Sequence, residues 1–387
     1  LLRGTPMRYR VTTLTPTLVG DGAKLSPIDY MVWRDQVNVL DQNRIFRLLS
    51  RGPRLEGYLT QLRTATKLDF ASWGGFAQNF AGRRIPFEDA SCTPHWNNAP
   101  VESLHIPAFA SDTAGPFLPG AAIKGALRTA SVFAHAKPAA IRDIANQLTG
   151  ERTPRHPAEH FEQQTIGAGG SDRMRAVSIT DSEHTSRDAF RVYMLRLSTL
   201  VSKAPAQYSL AWKQGGRTVE GRRPEDSTPS FAEMAAPGVV FEGDWRENAF
   251  LNGDEIRKAL RWSKPVTHQT LFESANEYAA KQLELHAKYA DWTGLESLRA
   301  SIADLQKKLE SARNNGSCLL AIGWGAGFLS KSAAIGMDEA EHRKVLAMLP
   351  YYERAIRTGL PFPKTRRVIF LKNKPAALPG WVELSVA

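Results

Sequence analysis

The sequence has few of the residues that build disulfide frameworks or metal sites. Its 387 residues include only two cysteines, Cys92 and Cys318, which lie far apart and outside any C-x-x-C spacing. The longest uncharged apolar run, residues 317–330, is too short and too rich in glycine to span a bilayer. The N-terminal residues lack the basic, apolar and small-residue order of a signal peptide. We therefore expect a soluble, cytoplasmic protein without a membrane partner.

Motifs of common enzyme classes are missing from the sequence as well. It contains no P-loop, no H-E-x-x-H and no G-x-S-x-G, and its nine histidines are scattered. His156 and His160 have helical metal spacing, but the prolines around them make this a weak signal. Residues 323–327 fail the spacing of a dinucleotide-binding loop. The sequence thus predicts a binding protein rather than an enzyme, with no catalytic residue, no metal and no cofactor.

What the chain has in excess is positive charge. Lys and Arg number 50 against 39 Asp and Glu, which gives a net charge of +11. An excess of this kind favours a polyanionic partner, because lysine and arginine neutralise phosphates and release their counterions. The charge supports a nucleic-acid partner without identifying one.

The most informative stretch is a glycine-rich segment near the start of the last quarter of the chain. Residues 318–322 are apolar and predict a buried strand, and Gly323, Gly325 and Gly327 follow at alternate positions. Glycine adopts positive φ readily, so such a loop can present backbone N–H groups in a concave surface suited to phosphate. A single glycine-rich loop is more often a plain turn at a sheet edge. A second, independent feature is therefore needed before this loop can be interpreted as a phosphate site.

That second feature is a helix predicted from residue 120 onward. Ile123 and Leu127 begin an apolar stripe at helical spacing, and Lys124 and Arg128 lie off the stripe, one turn apart. The helix macrodipole disfavours cations in the first turns of a helix unless an anion is near. Both side chains are either solvated, the commoner fate of surface cations, or part of a site for an anion.

Periodicity outlines the fold. Alternating apolar and polar residues predict a first strand over residues 7–11 and a closing strand over residues 381–386. Strands, helices and strands follow in an order that repeats once, which indicates two α+β domains, residues 1–185 and 186–387.

Four further segments have a predicted structure. Residues 101–109 predict a strand, residues 151–172 a linker or long loop, and residues 213–229 a mobile projection. The apolar stripe of residues 295–309 predicts a helix whose apolar face is either core or a docking surface.

At the two motifs the sequence resembles the RAMP superfamily of CRISPR effector subunits, whose mark is a C-terminal loop of the form G-φ-G-x-x-x-x-G. More narrowly, it resembles the type III-A Csm complex subunit that caps the crRNA at its 3′ end. The segments that carry the likeness run from near the start of the chain to near its end. They are Leu14-Thr15-Pro16, Gly20-Asp21-Gly22, Leu25-Ser26-Pro27-Ile28-Asp29-Tyr30, Pro119-Gly120-Ala121-Ala122-Ile123-Lys124-Gly125-Ala126-Leu127-Arg128-Thr129, Ile322-Gly323-Trp324-Gly325-Ala326-Gly327-Phe328-Leu329-Ser330-Lys331 and Pro363-Lys364-Thr365-Arg366-Arg367.

The resemblance implies an α+β fold of two RRM-like, ferredoxin-like domains with helical and loop insertions. It implies a non-enzymatic subunit of an antiviral effector complex that binds the 3′ portion of the crRNA. The implied partners are the crRNA, with target RNA as a further option, the neighbouring RAMP backbone subunit and the small helical subunit. It also implies a role in crRNA 3′ maturation through recruited host nucleases.

The family's RNA-binding role transfers to the three glycines of the loop and to the two helix cations. From charge and aromatic character we add further candidates, which makes the predicted site Lys124, Arg128, Gly323, Trp324, Gly325, Gly327, Lys331, Lys364, Arg366 and Arg367. Phe328 is predicted to pack in the core rather than to stack on a base. A backbone subunit that cuts target RNA would need an acidic residue aimed at it. Asp29 and Asp181 are the candidates here, and a turn or strand-end role explains both more simply.

Two other functions stay open. One is a RAMP endoribonuclease that processes precursor crRNA with His105 or His135 as general base. The other is a protein-only scaffold, in which the basic surface meets acidic partner subunits and the stripe of residues 295–309 makes contacts.

Overall fold

A computed structural model describes residues 7–68, 75–137, 139–149, 156–204, 207–215 and 220–387. Residues 151–155 of the predicted linker and residues 216–219 of the predicted projection lie outside the described residues. No helix within these described ranges is long and apolar enough to cross a membrane.

Groups of strands and groups of helices follow one another along the described ranges. The strands are β1 (Met7–Thr13), β2 (Lys24–Leu25), β3 (Tyr30–Val32), β4 (Gln36–Leu40), β5 (Ala81–Pro86), β6 (Ile106–Pro107), β7 (Val177–Ile179), β8 (Phe190–Ala204), β9 (Gln207–Lys213), β10 (Glu220–Gly221), β11 (Ser230–Ala235), β12 (Val240–Glu247), β13 (Cys318–Ala321), β14 (Thr365–Leu371), β15 (Lys374–Ala377) and β16 (Trp381–Val386). The helices are α1 (Gln42–Leu49), α2 (Arg54–Thr64), α3 (Phe76–Asn79), α4 (Cys92–Asn97), α5 (Gly120–His135), α6 (Ala140–Leu148), α7 (Pro157–Ile166), α8 (Ala249–Asn252), α9 (Asp254–Ala259), α10 (His268–Thr293), α11 (Glu296–Asn314), α12 (Glu339–Met348) and α13 (Pro350–Arg357).

The first large sheet has the strand order β13-β16-β1-β12-β7, with antiparallel neighbours throughout. Because β12 lies between β1 and β7, these two strands run parallel and are joined through α5. By the same reasoning β12 and β16 run parallel on either side of β1, and α10 lies between them in the chain. Two interleaved strand–helix–strand units of this kind form a ferredoxin-like sheet. β13 adds an outer strand beside β16.

The second large sheet has a different connectivity. The long strand β8 lies at its centre, with β14 on one edge and β9 and β11 on the other. These neighbours are all antiparallel to β8, and β9 follows β8 directly as a hairpin. The α+β fold class is confirmed, and the ferredoxin-like arrangement is found in the first sheet.

The predicted division of the chain at residue 185 does not coincide with the division between sheets. The first sheet takes β1 and β7 from before this position and β12, β13 and β16 from after it. The ends of the chain meet there, since Tyr9 lies opposite Val386. The second sheet and both long helices are inserted between strands of the first.

Helix α10 connects the two sheets. Thr267 caps its start by accepting a hydrogen bond from the Thr270 N–H, and Gly294 ends it with a φ of 66°. It packs against α5 on one side and α11 on the other. The stripe predicted on α11 is core, since its apolar side chains are buried, namely Leu298, Ile302, Leu305 and Leu309. The alternative prediction of a docking surface there is wrong.

Three predicted segments differ from the structure. Residues 101–109 form a short 3-10 turn and β6 rather than one strand, because Pro107 has no N–H to extend a ladder. The predicted linker contains α7, which begins at Pro157, a residue suited to the first helical position. Within the predicted projection, β10 pairs with β9 and extends the second sheet.

His160 lies within hydrogen-bond distance of two glutamine side chains, in keeping with an ordinary surface histidine.

Candidate functional site

The start of α5 is fixed against the end of β7. Ile123 and Leu127 are buried on the inner face of the helix. At Gly120, an added Cβ would come within 2.4 Å of the Thr180 carbonyl oxygen, so the backbones approach too closely for a side chain. The Gly120 N–H also donates a hydrogen bond of 2.8 Å to Asp181 Oδ1. Asp181 therefore has the strand-end role that we predicted as the simpler explanation.

Both predicted cations of α5 bind protein groups. Lys124 Nζ donates a 2.8 Å hydrogen bond to the Val177 carbonyl, and burial lowers the pKa of this ammonium group. Arg128 lies between two carboxylates, with Nη1 2.6 Å from Asp172 Oδ2 and Nη2 3.2 Å from Glu162 Oε2. The protein itself thus supplies anions near the helix start. Arg128 would have to leave its ion pairs to bind another anion.

The glycine-rich loop packs tightly on the segment that follows β1. Gly323, Gly325 and Gly327 have φ values of 77°, 91° and 83°, which favour glycine. An added Cβ at Gly323 would come within 2.1 Å of the Leu18 carbonyl oxygen. The Trp324 N–H donates a 2.7 Å hydrogen bond to the same oxygen. Gly323 is therefore required by the fold, because only glycine allows this approach.

The outer half of the loop leaves its hydrogen-bond donors unpaired. Among the residues that the structure describes, the backbone N–H groups of Gly325, Ala326 and Gly327 donate to no acceptor. Gly327 is exposed, and its carbonyl accepts a 2.9 Å hydrogen bond from the Ser330 hydroxyl, which holds the end of the loop. Successive N–H groups on glycine-rich, positive-φ backbone form a concave surface that suits an anion.

The segment that leads into β14 lies against this loop. Residues 325–327 and residues 365–367 line one small cavity of about 130 Å³. Arg366 is buried there, with Nε donating to His286 Nδ1 at 3.0 Å and Nη1 donating to the Pro363 carbonyl at 2.7 Å. Burial lowers the pKa of Arg366 to about 10. Arg366 thus supports the loop from the interior and presents little charge at the surface.

Arg367 and Lys364 flank Arg366 and are partly buried. The Arg367 guanidinium lies 4.3 Å from the centroid of the Trp324 ring, a cation–π contact that orients both side chains. The Lys364 carbonyl accepts a 2.9 Å hydrogen bond from the Leu200 N–H, which ties the segment to β8. Trp324 is therefore already in contact with a protein cation.

Phe328 lies at the centre of an aromatic cluster. Its ring centroid is 4.9 Å from that of Phe362 and 5.5 Å from that of Tyr352, both in edge-on geometry. Phe328 packs among protein side chains, in agreement with the packing predicted for it.

The exit of the loop and the helix α5 face one another across a second cleft of about 260 Å³. Arg128 and Lys331 both line this cleft, and Phe328 lines it together with the small cavity under the loop. Lys331 is exposed and has no ion-pair partner in the described part of the chain. The two predicted motifs are therefore neighbours, separated by Phe328.

Two histidines belong to this region that sequence patterns did not indicate. His286 holds Arg366 beneath the loop, and His342 on α12 lines the second cleft with its ring stacked on Phe328 at 6.2 Å. Burial lowers the pKa of His342 to about 4. A lone histidine in a helix carries no local signal, because its neighbours come from distant segments.

Comparisons with known proteins agree on a family and a fold. The sequence profile of the RAMP superfamily matches residues 10–330. A chain in the cryo-EM structure of a Csm–crRNA–target RNA ternary complex of a type III-A CRISPR-Cas system is similar, with a TM-score of 0.68, 19% identity, and coverage of 98% of this chain and 100% of that chain. The crystal structure of T. onnurineus Csm5 is similar with a TM-score of 0.62 and 16% identity, over 96% of this chain and 99% of that one. No curated protein sequence matches this chain.

Proposed function

The chain belongs to the RAMP superfamily, and on that premise we propose that it is a non-catalytic RNA-binding subunit of a type III-A CRISPR effector complex that caps the 3′ end of the crRNA. The similarity to chains of Csm complexes supports this proposal, since it extends over nearly the full length of both partners. In that role the subunit would contact the backbone subunit and take part in crRNA 3′ maturation through recruited nucleases.

One observation carries the RNA-binding part of the proposal. Among the described residues, the amides of Gly325, Ala326 and Gly327 are unpaired, and Lys331, four residues further along the chain, has no ion-pair partner. Phosphate oxygens of a single strand accept such N–H groups whatever the base, so the loop would hold the backbone without reading sequence. Arg128, fixed by its ion pairs, would form the opposite wall.

The remaining predicted residues have supporting places in this scheme. Gly323 allows the loop to approach the strand segment beneath it, and Arg366 holds that loop from the interior. Arg367 orients Trp324 at the side of the loop. Lys124 fixes the start of α5 to β7. We assign direct phosphate contacts to the loop amides and to Lys331.

We place the contact with the neighbouring backbone subunit on α1. Phe46 and Leu48 are 54% and 65% exposed, respectively, and Arg44 and Arg47 lie exposed on the same short helix. Exposed aromatic and aliphatic side chains beside arginine are typical of protein–protein interfaces. The buried stripe of α11 offers no such surface.

Of the two candidate bases of the rival endoribonuclease, His135 is engaged within the protein and His105 is exposed. His135 is half-buried, its Nδ1 lies 2.8 Å from the Ser131 carbonyl of its own helix, and burial lowers its pKa. Asp29, with Asp181 a candidate for cutting target RNA, accepts a 2.7 Å hydrogen bond from the Ser26 N–H and closes a turn. Structural roles therefore account for His135 and Asp29.

Fluorescence anisotropy of the purified chain with labelled single-stranded RNA, over a series of salt concentrations, tests the proposal. We expect binding that weakens steeply with salt. Lys331→Gln should reduce the slope of log affinity against log salt by about 0.7, the value for one lost phosphate contact on a single strand. Lys374→Gln, an exposed change on β15, is the matched control and should leave the slope unchanged.

Three results would contradict the proposal. Failure of the wild-type chain to bind RNA at physiological salt would favour the protein-only scaffold. Cleavage of repeat RNA by the purified chain without metal would favour the endoribonuclease. In the assembled complex, a photo-crosslinker at Gly327 that reacts away from the last nucleotides of the crRNA would exclude capping of its 3′ end.

A further inference from the structure

The second cleft is more than a gap between the loop and α5. Helices α5, α6, α7, α12 and α13 all contribute to its walls, around a volume of about 260 Å³. Its walls are mostly apolar, and they include Val132, Ile144, Phe161, Val345 and Leu346. A cleft of this size and character suits a single flat, mostly apolar group.

Besides the Arg128–Glu162 ion pair, two polar groups without a side-chain partner among the described residues line this cleft. One is Lys331, which is exposed and follows the glycine-rich loop in the chain. The imidazole ring of His342 lines the wall, and within the described residues it has no hydrogen-bond partner. Its pKa of about 4 keeps it neutral at neutral pH, so it offers one N–H donor and one acceptor nitrogen.

The cleft and the cavity under the loop are neighbours, because Phe328 lines both. Lys331, three residues further along the chain, lines the cleft. A strand whose phosphate is held by residues 325–327 would therefore bring its next nucleotide to the mouth of the cleft. Proteins that bind single-stranded RNA commonly splay a base out of the strand into such a pocket and bind its polar edge.

We propose that this cleft holds one nucleobase of the RNA strand whose phosphates bind the glycine-rich loop, with the His342 ring hydrogen-bonded to the edge of the base. The inference rests on the function proposed above. A base has apolar faces for the helix walls, a polar edge for the neutral ring and an attached phosphate for Lys331. A purely apolar side chain of a partner protein would leave both polar groups unused. The cleft would thus add a base preference at one position to a site that otherwise ignores sequence.

Filling the mouth of the cleft tests the proposal with little risk to folding. Ala158 on α7 is exposed and lines the cleft, so Ala158→Trp places a ring in the space of the base. Gln163→Trp, an exposed position on the same helix that does not line the cleft, is the matched control. The readout is the affinity of each full-length variant for an RNA and for copies with a single abasic nucleotide at each position in turn.

We expect one abasic position to weaken binding by the wild-type chain about tenfold, within the range for loss of one stacked base. Ala158→Trp should weaken binding of the intact RNA by a similar factor, and the abasic position should then make no further difference. Gln163→Trp should behave as the wild type. His342→Gln should change the preference among bases at that position and leave the salt slope unchanged.

Equal affinity for the intact RNA and every abasic copy would overturn the nucleobase pocket while leaving RNA binding by the loop in place. Unchanged RNA affinity in Ala158→Trp would also overturn the nucleobase pocket. If Ala158→Trp instead lost binding of a partner subunit, a protein segment rather than a base would fill the cleft. A wild-type chain that binds no RNA would instead overturn the proposed function, and this inference with it.

Discussion

The glycine-rich loop and the start of α5 lie on either side of Phe328. They differ in whether their polar groups have partners within the protein. In the loop, the amides of residues 325–327 have no acceptor within the part of the chain that the structure describes. At α5, Asp172 and Glu162 neutralise Arg128. An anion can therefore bind the loop without breaking any protein contact, whereas at α5 it must first displace carboxylates. The glycine-rich loop therefore offers free donors to a ligand, whereas the donors of Arg128 at α5 are already used by protein carboxylates.

The difference follows from what each kind of donor can reach. A backbone N–H is fixed by φ and ψ, so it stays unpaired when the loop turns it away from the protein. An arginine has a long side chain with several donors, and carboxylates within its reach satisfy it readily. Fixed backbone donors are thus the better evidence for a binding surface here.

The largest expected effect is a difference in the free energy of unfolding between substitutions at the two ends of the loop. Gly323→Ala combines a strained φ of 77° with a Cβ 2.1 Å from the Leu18 oxygen, so it should lower the free energy of unfolding by more than about 3 kcal/mol. Gly327→Ala has a similar φ, with a ψ of −170° that glycine alone adopts readily, but open space, with the nearest atom 4.0 Å away, and should cost about 1 to 3 kcal/mol. Urea unfolding of both full-length variants measures the difference. Equal losses would mean that Gly323 is not required by packing.

Mild acid should destabilise the protein through the buried histidine beneath the loop. Burial holds the pKa of His286 well below its ordinary value, and the positive charge of Arg366, whose Nε donates to His286 Nδ1, lowers it further. The unfolded chain takes up this proton near pH 6.5 and the folded protein does not. The free energy of unfolding therefore falls as the pH drops below about 6.5, by at most about 1.4 kcal/mol per pH unit for this group.

Urea unfolding between neutral pH and about pH 5.5, above the ordinary carboxylate range, measures this dependence. His286→Gln keeps an acceptor that does not titrate, so its unfolding free energy should vary less with pH than that of the wild type. His342 and His135 contribute with the same sign, since burial lowers both pKa values, that of His342 to about 4. If the free energy of unfolding varied with pH equally in the wild type and in His286→Gln, His286 would not be a cause of the pH dependence.

Local patterns were sufficient to predict the elements that border the site. Period-two alternation indicated β1 and β16, and helical spacing indicated α5 and α11. The helix after the loop is capped by Asp338, whose side chain accepts from the Glu341 N–H as an N-cap residue does. These features depend on residues a few positions apart, which a sequence displays directly.

The state of the cations could not be predicted in the same way. The partners of Arg128 are Glu162 and Asp172, which lie 34 and 44 residues further along the chain. Arg366 meets His286 from 80 residues away. The family resemblance marked Arg128 and charge marked Arg366 as binding candidates, and only the tertiary packing decides that their donors are used within the protein.

Removing the α5 ion pairs should have a moderate effect on stability and little on RNA. Arg128→Gln leaves Asp172 and Glu162, whose side chains are 22% and 41% exposed, without their cation. Solvent screens these groups in part, so we expect a loss of about 1 kcal/mol in the free energy of unfolding. The salt slope of RNA binding should stay at the wild-type value. A slope reduced by about 0.7 would show that Arg128 leaves its carboxylates to bind phosphate.

The smallest effect on stability is expected at Lys331. Arg128→Gln should change stability and not the salt slope, whereas Lys331→Gln should change the salt slope and hardly affect stability. Because Lys331 is exposed and the described residues offer it no ion-pair partner, Lys331→Gln should change the free energy of unfolding by less than about 0.5 kcal/mol. The same variant should nevertheless reduce the salt slope. Since Arg128 and Lys331 share no partner, the stability effects in the double variant should add to within about 0.5 kcal/mol. A stability loss at Lys331 as large as that at Arg128 would mean that its charge is also used within the protein, and the contrast between the two sides of Phe328 would then rest on the loop amides alone.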